Sequence, residues 1–110
     1  MGSLHYLPGN GPDWTSRELE IFGSLHTAML REGHDLRCVR GTTQDGIPYW
    51  ILRENGREGM VRVMRSRRRY AVLSHELGLA LQSIDLVAAL MPIRERFNAR
   101  KTWSQVDSAL

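Results

Sequence analysis

Apolar residues recur at Leu19, Phe22, Leu25 and Met29, with Ile21 and Ala28 beside them. That spacing has the 3.6-residue period of an amphipathic helix. Just ahead, Thr15, Ser16, Arg17 and Glu18 have the T-x-x-E form of a capping box, in which a Thr hydroxyl and a Glu carboxylate satisfy each other's backbone N–H groups. Trp14 is placed to fold back on this helix as an N-terminal staple, and Gly33 supplies a stop. The pattern predicts a helix over Ser16 to Glu32.

From Leu36 to Leu73 the texture changes, and short runs of branched and aromatic residues separated by turn residues replace the helical spacing. Leu36 to Arg40 reads as a short strand, and Gln44-Asp45-Gly46 as a turn. Ile47 to Arg53 is rich in aromatic and branched residues and reads as a second strand, with Pro48 suiting an edge or entry position. Asn55-Gly56 is the strongest hairpin signal in the chain, and Met60 to Met64 is the strand that follows it. Tyr70 to Leu73 fits either a fourth short strand or the lead into a helix.

Ser74 is a candidate cap for a second helix. Leu77, Ala80, Leu81, Ile84, Val87, Ala88 and Met91 follow at helical spacing, and Leu79, Leu86, Leu90 and Ile93 form a second stripe on another face. A helix apolar on two faces is either sandwiched in a core or shared with a partner. The second stripe is therefore the candidate interface of a homodimer. Pro92 is expected to kink or restart the helix, and residues 98–110 lack periodicity and read as a flexible tail, pinned at most by Trp103.

The expected fold is α+β: an N-terminal helix, a three- or four-stranded antiparallel meander and a C-terminal helix, with both helices on one face of the sheet. Residues 1–14 form a loop or arm, 15–97 a single domain, and 98–110 the tail. The 110 residues suit one domain with a modest core, and the 42% hydrophobic and 25% charged content is that of an ordinary globular chain.

One cysteine, Cys38, excludes an internal disulfide, so nothing in the sequence calls for an oxidising compartment. No apolar run reaches the ~18 residues of a membrane span and no targeting segment is visible, so a cytoplasmic location is expected by elimination.

Charge changes the picture more. The net charge is +3, and of the 15 basic residues only Lys101 is lysine. Residues 53–69 hold Arg53, Arg57, Arg62, Arg65, Arg67, Arg68 and Arg69 against two acids, Glu54 and Glu58. Arg62 lies between Val61 and Val63 and so points to the opposite face of its strand. An Arg-dense sheet face or hairpin can lie along a phosphate backbone. Tyr49, Trp50 and Tyr70 are candidate stacking surfaces for unpaired bases. The next readings, in order, are a solvated face with internal pairing and an acidic protein partner.

Catalytic signatures are missing. His34 and Cys38 offer a metal two ligands rather than three or four, and His75-Glu76 fails the zinc-protease pattern because Leu79 stands where a histidine is needed. No nucleophile elbow or phosphate loop is present. A metal-dependent nuclease would need Asp45, Glu54 and Glu18 or Glu20 to converge, yet Asp45-Gly46 and Asn55-Gly56 are also plain turn chemistry.

The sequence thus points first to a small nucleic-acid-binding or regulatory protein, without metal or cofactor. It would use Arg53, Arg57, Arg62, Arg65, Arg67, Arg68, Arg69 and Tyr70. The alternative is a protein–protein module, an inhibitor, adaptor or dimeric chaperone-like protein, meeting an acidic partner through the Arg cluster or a second copy through Leu79, Leu86, Leu90 and Ile93.

Overall fold

The capping box forms as the sequence dictates. Thr15 has extended backbone angles, its hydroxyl accepts the Glu18 N–H at 3.1 Å, and Glu18 Oε1 accepts the Thr15 N–H at 2.8 Å. Helix α1 runs Ser16–Arg31. It ends where Gly33 adopts a φ of 92°, with Gly33 N–H donating to Leu30 O and His34 N–H to Met29 O. That is the Schellman pattern, which needs a left-handed residue at Gly33. The computed structural model from which these contacts are taken describes residues 13–55 and 59–109, with side chains through Arg100.

Five strands follow: β1 Leu36–Thr42, β2 Pro48–Glu54, β3 Met60–Ser66, β4 Arg69–Ser74 and β5 Leu79–Ser83. They form one antiparallel meander in chain order, and helix α2, Leu86–Ala109, follows β5. The α+β layout is as expected, with five strands where the sequence suggests three or four.

Because side chains alternate across a strand, the register divides the sheet into two faces. One carries Cys38, Leu52, Val61, Val63, Val72 and Leu79, joined through the pairs Cys38↔Leu52↔Val61 and Val63↔Val72. Both helices cover it. Phe22 of α1 stacks on Trp50 with ring centroids 4.5 Å apart, and Leu86, Ala89, Leu90, Ile93 and Phe97 of α2 are buried in the same core. Trp14 closes one end, edge-on to Phe22 at 5.0 Å, so the staple forms and residue 14 is tied to the domain. The rest of the expected arm, residues 1–12, lies outside the described residues.

Three expectations are corrected here. The stretch 77–83 is a turn and strand β5, not the start of a helix. Gly78 has a φ of 65°, its N–H reaches His75 O at 3.2 Å, and the Ser74 hydroxyl expected to cap a helix instead accepts the Leu77 N–H inside this turn. Leu79 and Leu81 then alternate inward with Ala80 and Gln82 outward, so residues that fit a 3.6 period also fit a period of 2. Pairing with β4 satisfies their backbone groups and decides between the two.

The two apolar stripes also exchange roles. Leu79, Leu86, Leu90 and Ile93, expected at a dimer interface, lie in the core of the single chain. Ile84, Val87 and Met91, assigned to the core stripe, are exposed. Their stripe looked strong because it borrowed Leu77, Ala80 and Leu81 from a turn and a strand.

Finally, residues 98–109 continue α2 as helix instead of forming a tail, and Pro92 sits inside that helix without ending it. The helix is tied to the rest of the domain near this point. Asn98 Oδ1 meets the buried His34 ring at 2.7 Å, Arg96 donates to Leu77 O at 2.9 Å, and Arg94 grips Glu32 with a shortest contact of 2.6 Å. No described helix is long and apolar enough to cross a membrane.

Candidate nucleic-acid interface

Neither described helix lies over the second face of the sheet. Across its strands the register lines up Arg37↔Arg53↔Met60 at one end, Val39↔Ile51↔Arg62↔Leu73↔Ala80 in the middle, then Gly41↔Tyr49↔Met64↔Ala71↔Gln82, and Ser66↔Arg69 at the far end. Arg37, Arg53, Arg62 and Arg69 are exposed on this face, and Arg67 and Arg68 form the β3–β4 turn at its corner. No described residue of the face is acidic. Among the described residues, no carboxylate forms an ion pair with any of these six arginines.

From strand spacing and rise, the basic line runs diagonally from Arg37 to Arg69 over roughly 25 Å. At its end, Ser66, Arg67, Arg68, Arg69, Ala71 and Gln82 line an open concavity of about 620 Å³. Between the arginines lies an aliphatic strip in which Val39 and Leu73 are 53% and 43% exposed. Tyr49 lies across Gly41, its cross-strand partner, where a Cβ would run into the Tyr49 hydroxyl. Glycine at 41 is what lets this ring lie down against the sheet.

The expected residues therefore separate. Arg53, Arg62 and Arg69 share the open face, with Arg67 and Arg68 at its edge. Arg57 lies outside the described residues. Arg65 and Tyr70 belong to the covered face and are corrections to the expected site, because both are engaged by Glu18. The Tyr70 hydroxyl donates to Glu18 Oε2 at 2.6 Å, Arg65 lies 3.4 Å from Glu18 Oε1 and donates to Asp13 O at 2.6 Å, and its guanidinium stands over the Trp14 ring at 5.5 Å. Trp50, a candidate for base stacking, is likewise turned inward against Phe22. Parity along β3 carries the signal for Arg65: it follows Val61 and Val63 in the same alternation, whereas Arg62 does not. Arg37 was not among the expected residues. It becomes part of the site only through its pairing with Arg53, which sequence order does not display.

No protein-family model matches this chain, and no curated protein or solved structure matches it.

The alternative chemistries gain nothing from the geometry. Asp45 lies in the β1–β2 turn and Glu54 at the other end of β2, about 20 Å away by strand rise. Glu54 instead faces His34 Nδ1 at 3.2 Å. No described group of three or more histidine, cysteine or carboxylate side chains is arranged to hold a metal. Cys38 faces the core, and burial pushes its thiol above the ordinary cysteine range, which works against a thiolate nucleophile.

Tyr70 yields a pH prediction. Burial first, then the hydrogen bond to Glu18, push its phenol up to about 12 from its usual 10. The folded state therefore holds the phenolic proton more tightly than the unfolded chain does. The resulting stability is present in full below pH 10 and lost as pH rises towards 12. Urea midpoints measured across that range should fall in the wild type and fall less steeply in Tyr70→Phe. Parallel curves would contradict the assignment.

Proposed function

We propose that the protein binds nucleic acid through the open, arginine-bearing face of its sheet. The observation that carries this reading is the convergence of Arg37, Arg53, Arg62 and Arg69 on one uncovered face, flanked by Arg67 and Arg68, with no described carboxylate among them. Arginine's planar fork of donors matches phosphate oxygens, and a surface of one sign attracts a polyanion from a distance. A flat antiparallel sheet can follow a backbone without reading bases. Binding by phosphate contact alone requires no cofactor and carries little sequence preference.

Each phosphate neutralised releases condensed counterions, so affinity should follow salt with a slope near −0.9 per contact on duplex DNA. With four to six arginines engaged, the expected slope is roughly −4 to −5, a loss of about 100- to 1000-fold between about 50 and 200 mM salt. Titrating the protein into labelled duplex and single-stranded oligonucleotides across that range tests the reading. Undetectable binding at the low-salt end rejects it.

The strip of Val39, Ile51 and Leu73 favours a second reading, a protein partner bearing acidic and aliphatic side chains. Such a complex buries apolar surface and depends less steeply on salt than one made of phosphate contacts.

A further inference from the structure

Two features of the open face run against the fold's own stability. Arg67 and Arg68 form a two-residue hairpin turn closed by the pair Ser66↔Arg69. Arg67 has a φ of 59°, and it is the only described non-glycine residue with a positive φ. A positive φ at the first central residue alone is the type II′ pattern, a position where glycine is the favoured residue. A long side chain there is strained. At the other end of the face, Arg37 and Arg53 stand directly opposite each other on adjacent strands, where like charges repel. Local rules broken without compensation inside the fold gather at functional sites.

We propose that the β3–β4 hairpin tip is the phosphate-gripping element of the surface. A phosphodiester of the nucleic-acid backbone occupies the concavity lined by Ser66, Arg69 and Gln82, and Arg67 is held in a glycine-like backbone conformation so that its guanidinium closes over that phosphate. This rests on the nucleic-acid reading above and adds where the backbone is held. The concavity suits an oxyanion: it offers guanidinium, hydroxyl and amide donors, and no described carboxylate lines it. Strain at Arg67 has a use here, because the tight two-residue turn that requires it sets Arg67 at the corner of the sheet among the residues lining the concavity.

The test compares wild type with Arg67→Gly and Arg67→Asn, two residues that tolerate positive φ and lack the guanidinium. Melting temperature and affinity for a labelled duplex of about 20 bp are measured over about 50–200 mM salt, with inorganic phosphate and anionic phospholipid vesicles as competitors. The expected result is opposite movement of the two readouts. The melting temperature of Arg67→Gly rises by about 4 °C as the strain is removed. Its affinity falls about 5- to 10-fold and its salt slope shrinks by about one.

If wild type binds and Arg67→Gly keeps the same affinity and slope, the hairpin proposal is overturned while the sheet-face reading stands. If neither variant melts above wild type, the claim of strain retained for binding is overturned. If wild type binds no oligonucleotide at low salt but does bind vesicles, both the nucleic-acid reading and this proposal fall.

Discussion

Glu18→Ala is expected to destabilise the domain by about 3 kcal/mol, enough to lower its melting temperature by about 15 °C. Glu18 is only 6% exposed, and three groups converge on its carboxylate: the Thr15 N–H, the Tyr70 hydroxyl and the Arg65 guanidinium. Truncation leaves a helix N-terminus half capped, a half-buried phenol without its carboxylate acceptor, and a partly buried cation without its counterion. The last two weigh most, because each group is partly desolvated in the fold and loses its carboxylate, Arg65 keeping only its hydrogen bond to Asp13 O and its place over the Trp14 ring. Tyr70→Phe alone should cost about 1 kcal/mol, since it removes donor and demand together. In the Glu18→Ala background the same substitution should cost nothing or stabilise slightly. Thermal or urea unfolding of the two single variants and the double variant measures this coupling. Additive effects would mean that Glu18 acts only as a cap and that the Tyr70 contact is weak.

Reversing charge at Arg37, Arg53 and Arg62 together, each to Glu, is expected to reduce nucleic-acid affinity by about 100-fold or more and to shrink the salt slope by about three. All three project from the open face and are exposed, so the fold has little to lose. Single surface substitutions of this kind change stability by about 0.5 kcal/mol or less, and the opposed Arg37–Arg53 pair becomes a like-charge pair of the other sign, so the sheet is left about as stable as before. Arg65→Ala is the internal control. It removes the same charge from the same strand as Arg62, yet its guanidinium is engaged by Glu18, Asp13 and Trp14. It should lower the melting temperature and leave the salt slope nearly unchanged. Oligonucleotide titrations of Arg65→Ala against Arg62→Ala, which removes the same single charge, give the comparison directly. Equal losses of affinity in both would mean that binding responds to net charge and not to this face.

Arg62 and Arg65 also show where sequence reading reaches its limit. Both stand in the same basic run, and parity along β3 separates them because a strand has only two faces. Parity does not say which face the helices cover. That follows from where Phe22 meets Trp50 and where α2 lies down, contacts between residues far apart in the chain. Arg37 enters the site for the same reason, through a cross-strand neighbour 16 positions away in sequence. Helix α2 shows the opposite error: a periodic run of apolar residues spanned a strand, a turn and a helix, and local periodicity has no term for the edge that β4 offered to β5.

What the sequence determined by itself is local. The capping box at Thr15 and Glu18, the stop at Gly33, the turn at Asp45-Gly46, the aromatic and branched run of β2 and the alternation of Val61, Arg62 and Val63 in β3 are signals carried within a few residues, legible without the rest of the chain. Only the tertiary structure decided which stripe of α2 is core, that residues 79–83 become a fifth strand, and which arginines stay free at the surface. Each of those outcomes depends on contacts with distant parts of the chain: Leu90 and not Met91 meets the core, Ala80 and Leu81 pair with β4, and Arg65, on the covered face, meets Glu18 while Arg62 does not. Such contacts are settled by the geometry of the assembled sheet and helices, where the free energy of burial and pairing exceeds any local preference.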